Sequence, residues 1–137
     1  MALRATHLAD TSALARRQHP AFATVLEPLL LEGRVATCSL IDLELLYSAR
    51  GKRDFEEIAN ERAGFERAPI LQADFDRAVH VMSELAATSR HRIALPDLII
   101  AAVAERVGLI VLHEDADFER IARVTGQPTQ RLTTGGK

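Results

Sequence analysis

The sequence has a single cysteine, Cys38, no tryptophan and few aromatic residues of any kind. One cysteine excludes an intrachain disulfide and a metal site built from several cysteines, and it is typical of a reducing compartment. Because aromatic residues make up only 4% of the chain, the core must be built from Leu, Ile, Val and Ala. A length of 137 residues allows one domain with a real core, so we expect a single domain spanning 1–137.

Long hydrophobic runs are also missing. The longest uninterrupted run, Leu98 to Ala104, is far too short to cross a bilayer. The N-terminus has no sustained apolar segment of the kind that a signal peptide requires. We therefore expect a cytoplasmic protein that makes no contact with a membrane.

Lysine is nearly absent, because only Lys52 and Lys137 interrupt an otherwise arginine-only set of 17 basic residues. Arginine binds phosphate through two parallel hydrogen bonds, which suits a nucleic-acid surface. A GC-rich genome would produce the same bias, and the formal net charge of -2 does not indicate nucleic acid. The composition leaves that question open.

Strand-like and helix-like segments alternate along the chain. The predicted strands are 6–9, 34–38, 67–71 and 109–112, with a further edge strand near 130–133. The predicted helices are a short one after Asp10 that ends by His19-Pro20, then 21–32, 40–49, 52–65, 73–90, 96–107 and 115–126. Such alternation favours an α/β domain with a parallel sheet. Ligands of these sheets bind beyond the carboxyl ends of the strands.

Two of the helices carry patterns that predict local contacts. Ser39 and Asp42 have the spacing of a capping box at the start of the helix at 40–49. In the helix at 73–90, apolar residues at helical spacing predict one buried stripe. Its members are Phe75, Val79, Met82, Leu85 and Ala86.

Four acidic residues occupy positions that a parallel sheet would bring to one edge. Asp10 directly follows the first predicted strand, and Asp115 follows the strand at 109–112. Asp97 begins an apolar stripe that must face the core, which places its carboxylate near the same edge. Glu44 lies on the helix at 40–49 and completes one candidate site.

Glu44 has the position that is hardest to explain by helix structure alone. Residues three and four positions away share its helix face, and they are Leu40, Ile41, Tyr47 and Ser48. A glutamate buried on such a hydrophobic face needs a cation or hydrogen bonds. Taken singly, the aspartates Asp10, Asp97, Asp115 and Asp117 could each be no more than a helix cap.

Carboxylates that converge in one cleft repel each other unless a cation lies between them. Oxygen ligands without cysteine or clustered histidine favour Mg²⁺ or Mn²⁺. Such ions activate water and stabilise the transition state of phosphoryl transfer. The acidic residues therefore predict a metal-dependent enzyme that hydrolyses phosphodiester bonds.

The segments around the four acids read LADTSAL at 8–14, SLIDLEL at 39–45, LPDLIIAA at 95–102 and VLHEDADF at 111–118. The first resembles the opening strand and turn of PIN-domain ribonucleases, and the second resembles the helix that carries the family's glutamate. The last two are similar to its third and final acidic motifs. The motifs follow the family's order over nearly the whole chain, and the length suits the VapC-like toxins of type II toxin–antitoxin systems.

This resemblance implies a three-layer α/β/α fold with a central parallel sheet of about five strands. It also implies a Mg²⁺- or Mn²⁺-dependent endoribonuclease, an RNA substrate, a VapB-like antitoxin as partner, and a homodimer. By motif, the catalytic and metal-binding residues would be Asp10, Glu44, Asp97 and Asp115, with Asp10 and Asp97 as direct ligands. Asp117 is a secondary candidate, and Ser12 or Thr11 would hydrogen-bond the acids from outside.

Basic residues near the predicted cleft could hold the RNA backbone. The candidates are Arg16, Arg17, Arg50 and Arg92, although each is explained as well by a solvated helix face. His113 could donate to a phosphate, but a strand-end histidine without a catalytic role is the simpler interpretation.

Other functions remain open at this point. A Mg²⁺-dependent phosphatase or a receiver-like domain also gathers acids at strand ends, but it needs a lysine near the site. Lys52 falls on an outer predicted helix, which counts against that alternative. A non-catalytic PIN-like module that only binds RNA or protein would lack some of the acids, and a DNA nuclease of the flap-processing group would be larger.

Overall fold

The computed structural model describes residues 3–133, and its centre is a sheet of five parallel strands. The strands are β1 (His7–Ala9), β2 (Val35–Thr37), β3 (Glu66–Arg67), β4 (Ile110–His113) and β5 (Thr129–Arg131). Their order is β3-β2-β1-β4-β5, so β1 is central. Helices flank the sheet in a three-layer α/β/α arrangement, which confirms the predicted fold class.

Seven helices connect and cover these strands within the described residues. They are α1 (Thr11–Leu14), α2 (Pro20–Leu31), α3 (Ser39–Tyr47), α4 (Lys52–Ala63), α5 (Gln72–Ala86), α6 (Leu95–Val107) and α7 (Ala116–Thr125). None of the helices between residues 3 and 133 is both long and apolar enough to cross a membrane.

The core is mainly aliphatic, as the scarcity of aromatic residues predicted. Leu8 on β1 and Val111 and Leu112 on β4 are fully buried, because a parallel sheet covered on both faces excludes water from its central strands. Phe22 and Phe118 are the two large aromatic exceptions. Helices α5 and α6 pack against each other, and α7 contacts both.

The predicted capping box at Ser39 and Asp42 is wrong. Cys38 is the N-cap of α3, and no side chain caps that helix. The Asp42 carboxylate instead accepts hydrogen bonds from the Thr37 hydroxyl at 2.7 Å and from Arg62 Nε at 3.0 Å. A buried guanidinium is a stronger partner for a carboxylate than a solvated backbone amide, so the side chain turns inward.

The buried face of α5 also differs from the predicted one. Phe75 and Val79 are 47% and 67% exposed, whereas Ala78, Val81 and Leu85 are buried. The helix is rotated because Asp74 is buried and accepts a hydrogen bond from Arg106 Nε at 2.9 Å. Of the predicted stripe, only Leu85 is fully in the core.

Strand boundaries near the sheet edges differ from prediction as well. The third strand is Glu66–Arg67 rather than 67–71, and the last one is Thr129–Arg131 rather than 130–133. Both lie at edges of the sheet, as predicted. The helix after Asp10 is only the four residues of α1.

Gly108 ends α6 in the left-handed conformation, with φ of 76°. We expect Gly108→Ala to lower the free energy of unfolding by about 1 kcal/mol, because a Cβ is disfavoured at this φ even though the space is open. Gly64 has an ordinary φ of -82° after α4, so Gly64→Ala is the matched control. Denaturant titration of both variants would contradict the prediction if they lost equal stability.

Candidate active site

The carboxyl ends of β1 and β4 lie side by side and fix the first acidic residue. The Asp10 backbone N–H donates to the Leu112 carbonyl at 2.9 Å. The Ser12 hydroxyl oxygen accepts from the Glu114 backbone N–H at 2.9 Å. These two hydrogen bonds join chain segments about a hundred residues apart and hold Asp10 beside the loop that carries Asp115.

An open cavity of about 560 Å³ lies above this edge of the sheet. All four predicted acids line it, together with both predicted supporting residues. The lining residues are Asp10, Thr11, Ser12, Leu43, Glu44, Tyr47, Ala94, Asp97 and Asp115. Residues from four separate parts of the chain therefore share one cleft.

Asp97 is the most strongly perturbed of these acids. Its side chain is 6% exposed, and its Oδ2 atom has no hydrogen-bond partner among the described residues. Burial, followed by the charges of Asp10, Asp115 and Asp117, raises the pKa of Asp97 to about 8. The carboxylate is thus held where ionisation is unfavourable unless a positive charge arrives.

Asp10 shows the same shortage of partners. Its Oδ2 accepts from the Ser12 backbone N–H at 3.0 Å, but its Oδ1 is buried and has no partner within residues 3–133. A buried carboxylate oxygen without a donor is costly. Both unpartnered oxygens belong to acids that line the same cavity.

Three carboxylates approach closely enough to share one ion. Asp97, Asp115 and Asp117 each offer an oxygen, and these oxygens lie within 4.8 Å of one another. Asp10 and Glu44 are outside this group, although they line the same cavity. An all-oxygen set with unpartnered buried atoms fits a hard divalent cation.

Glu44 faces the cavity from α3 and is half-buried. Its Oε1 accepts a hydrogen bond from the Thr11 hydroxyl at 2.9 Å. Burial raises the pKa of Glu44, the Thr11 bond lowers it, and the Asp10 charge raises it, with a net upward shift. Thr11 therefore orients the glutamate, in agreement with its predicted supporting position.

Helix capping accounts for some of the aspartates but not for Asp97. Asp10 and Asp115 are the N-caps of α1 and α7, and each accepts from a backbone N–H two residues later. Asp117 pairs with Arg120, with Nη1 and Oδ1 2.7 Å apart. The N-cap of α6 is Ala94, so Asp97 lies inside the first turn and its carboxylate makes no cap bond.

None of the four arginines proposed to hold RNA lines the cavity within the described part of the chain. Arg17 pairs with Glu61 at 2.9 Å, and Arg50 and Arg92 are exposed. Arg16 Nη1 donates to the Ser12 carbonyl at 3.1 Å, so it lies just behind a cavity residue.

Sequence reasoning gave little weight to two residues near the acids. His113 is fully buried, and its Nδ1 accepts from the Asp115 backbone N–H at 3.1 Å, which positions the Asp115 loop. Burial lowers the pKa of His113, and acceptance of a hydrogen bond at Nδ1 assigns the ring proton to Nε2. Tyr47, which the sequence shows only as a neighbour of Glu44 on its helix face, is 93% exposed on the rim of the cavity.

Comparison with known proteins agrees with this geometry. The chain matches the PIN domain over residues 8–124, which contain every acid of the site. The chain belongs to the PIN-domain family. This PIN domain is 40% identical to ribonuclease VapC51 of Mycobacterium tuberculosis over 99% of its own length and 98% of that protein. It is 38% identical to ribonuclease VapC18 of the same organism, covering 93% and 95% of the two chains.

Solved structures share the fold of this PIN domain at lower sequence identity. One is a crystal structure of VapBC2 from Rickettsia felis bound to a promoter DNA fragment, with a TM-score of 0.74 and 17% identity over 93% of this chain and 98% of that one. Another is a toxin–antitoxin complex from Klebsiella pneumoniae, with a TM-score of 0.70 and 20% identity over 96% and 99%. These likenesses support the three-layer fold.

Proposed function

We propose that this PIN domain is a metal-dependent endoribonuclease and the toxin of a toxin–antitoxin pair. The observation that carries the proposal is the buried, partly unpartnered carboxylate of Asp97 in a cavity with Asp10, Glu44 and Asp115. Relatives named as VapC ribonucleases match nearly the full length of the chain and support RNA as the substrate. The active unit proposed is one domain spanning residues 1–137.

The cation proposed is Mg²⁺ or Mn²⁺. Asp97, Asp115 and Asp117 would hold it, with Asp10 supplying a further oxygen from β1. When bound, such an ion supplies charge stabilisation for the phosphoryl transition state. It would also remove the repulsion that raises the pKa of Asp97.

The remaining cavity residues have roles that follow from their contacts. Glu44 has a raised pKa, which suits it to act as a general base. It would accept the proton that the water molecule loses when the water oxygen attacks phosphorus. Thr11 holds Glu44 in place through its hydroxyl, and Ser12 ties α1 to the loop after β4. The two hydroxyl residues therefore hold acids from different elements of the fold in fixed relative positions.

The direct test is cleavage of a labelled single-stranded RNA by the purified protein with EDTA, Mg²⁺ or Mn²⁺. We expect fragments with either ion and none with EDTA. A generic phosphomonoester in parallel distinguishes this function from a phosphatase, which would release phosphate from it. Absence of RNA cleavage under every metal condition would refute the proposal.

Metal affinity is expected to rise with pH up to about 8. Asp97 must lose its proton before it can bind a cation, and its pKa is raised to about 8. Below that pH the cation competes with a proton, so the apparent dissociation constant for Mn²⁺ should fall about tenfold per pH unit at most. Calorimetric titration between pH 6 and 9 would contradict this if affinity did not change.

A VapB-like antitoxin and a second copy of the chain are the protein partners proposed. The structural neighbours include VapBC complexes, which supports an antitoxin partner for this domain. Co-expression with the product of an adjacent small gene, followed by size-exclusion chromatography, tests both partners. Expression alone should arrest growth, and Asp10→Ala should relieve that arrest.

A further inference from the structure

Tyr47 is a large aromatic side chain that the fold leaves almost wholly in solvent. It is 93% exposed, more than any other large hydrophobic residue between residues 3 and 133. It lines the acidic cavity and lies three residues after Glu44, on the same face of α3. Packing against the core does not explain the position of Tyr47. The ring lies one helical turn from Glu44.

The rim around Tyr47 is apolar, whereas the floor is acidic. Leu43, one helical turn before Tyr47, is 62% exposed and also lines the cavity. Leu95, next to the lining residue Ala94, is 64% exposed. Exposed apolar side chains therefore border the carboxylates of the cavity.

The charge of the cavity limits what can hold a nucleic acid there. Asp10, Glu44, Asp97 and Asp115 line it, and no basic residue of the described range does so. Backbone phosphates are repelled by this lining until a cation neutralises it. Apart from the proposed cation, affinity from the residues that line this cavity would therefore come from contacts that carry no positive charge.

We propose that Tyr47, supported by Leu43, is a stacking platform for one unpaired nucleobase of the substrate next to the phosphate that is cleaved. This inference rests on the proposed ribonuclease function and assigns to Tyr47 the binding of an unpaired base. Stacking on an aromatic ring is neutral, tolerates any base, and contributes about 1–3 kcal/mol per base. A duplex hides base faces inside its own stack, so it cannot use this platform.

The chain offers a direct optical test, because Tyr47 is its only tyrosine and it has no tryptophan. Tyrosine emission from the wild type therefore reports on this one ring. With Mg²⁺ present, rapid mixing with a short unstructured RNA should quench the emission before fragments appear, and duplex RNA should not. Free N-acetyltyrosinamide corrects for absorption by RNA, and Tyr47→Phe gives the background.

Kinetics give the second test. Tyr47→Ala should lower kcat/KM on single-stranded RNA about tenfold, whereas Tyr47→Phe should stay within about twofold of the wild type, because it keeps the ring. Leu31→Ala removes an equally exposed side chain on α2, away from the cavity, and should change nothing. An RNA with an abasic site beside the cleaved bond should be a poor substrate for the wild type but no worse for Tyr47→Ala.

The inference is overturned if RNA leaves the emission unchanged and Tyr47→Ala cleaves like Tyr47→Phe. It is also overturned if emission depends on protein concentration alone, because the ring is then covered by a second copy. Either result leaves the proposed function intact as long as the wild type cleaves RNA with metal. Failure of the wild type to cleave any RNA, with emission still quenched, would instead refute catalysis and retain binding at Tyr47.

Discussion

Asp97→Asn is expected to lower RNA cleavage on the order of a thousandfold while making the metal-free protein more stable at pH 8. The loss follows from removing a charged ligand of the proposed cation, which would contribute several kcal/mol to transition-state stabilisation. The gain in stability follows from replacing a buried carboxylate that three other acids repel. Loss of activity and gain of stability from one substitution distinguish a functional acid from a structural one.

The pH dependence of that stability gain has a definite sign. In the folded protein, burial and the charges of the neighbouring acids raise the pKa of Asp97 to about 8 from its ordinary value of 3.8. Between those values the folded state keeps a proton that the unfolded state has released, so wild-type stability falls as pH rises. Asparagine does not ionise, and the advantage of the variant should grow from about pH 4 to pH 8. Since one pKa unit corresponds to about 1.4 kcal/mol, the raised pKa limits this advantage to at most about 6 kcal/mol at pH 8, and we expect a rise in Tm of at least several degrees.

Thermal melting of both proteins in EDTA and in Mn²⁺ measures this prediction. Mn²⁺ should raise the Tm of the wild type, because a ligand that binds only the folded state stabilises it, and should have little effect on Asp97→Asn. Asp76→Asn is the control, because Asp76 is exposed on α5 and, among residues 3–133, accepts a hydrogen bond only from Gln72 in the same helix. If Asp97→Asn destabilised the metal-free protein, the repulsion argument would be wrong.

Asp42→Asn should lower the free energy of unfolding by about 3–5 kcal/mol, with a fall in Tm of about 10–20 °C. Asp42 joins three parts of the fold, because it accepts hydrogen bonds from Thr37 on β2, Arg62 on α4 and Arg67 on β3. Arg62 is 2% exposed, and its guanidinium lies 4.2 Å from the centre of the Phe65 ring. Loss of the carboxylate would leave a buried cation without its counter-charge.

The weakness of the remaining Arg62 contacts makes this effect large. Its Nη1 and Nη2 atoms are buried and have no hydrogen-bond partner in the described chain. Breaking a buried ion pair from one side is far more damaging than removing both charges. The double variant Asp42→Asn with Arg62→Met should therefore recover part of the lost stability.

Unfolding measured as a function of acid pH should also show that the Asp42 carboxylate stabilises the fold. Burial would raise the pKa of Asp42, but hydrogen bonds from Arg67, Thr37 and Arg62 outweigh it and lower the pKa below 3.8. A lowered folded pKa stabilises the protein above 3.8, and that stability is lost as pH falls through the folded value. Glu61→Gln is the control, because the Arg17–Glu61 pair is exposed and should change stability by less than about 1 kcal/mol. Equal losses in Asp42→Asn and Glu61→Gln would contradict the prediction.

The sequence predicted the sheet and the acidic edge because both depend on local patterns. Apolar segments followed by Asp10 and Asp115 indicated strand ends, and parallel pairing brings such ends together. Glu44 could be singled out because hydrophobic neighbours share its helix face. The four acids do line one cavity, while their catalytic roles stay a prediction.

The features that the sequence did not reveal depend on partners far along the chain. Asp42 has the spacing of a cap, and only the fold shows that Arg62 and Arg67 reach it from other elements. The rotation of α5 is set by Arg106, a residue 32 positions from Asp74, so periodicity alone chose the wrong face. Asp97, Asp115 and Asp117 form the closest oxygen group, although Asp10 and Asp97 were the favoured ligand pair.

The pairing of β1 with β4 has a consequence for synthesis of the protein in the cell. His7 lies opposite Ile110 in the sheet, so β1 pairs with a segment that is synthesised about a hundred residues after it. Until that partner leaves the ribosome, Asp10 has no neighbouring acid from the second half of the chain. A nascent or truncated chain that ends before β4 should thus lack the complete acidic cavity and, under the proposed function, leave RNA uncleaved.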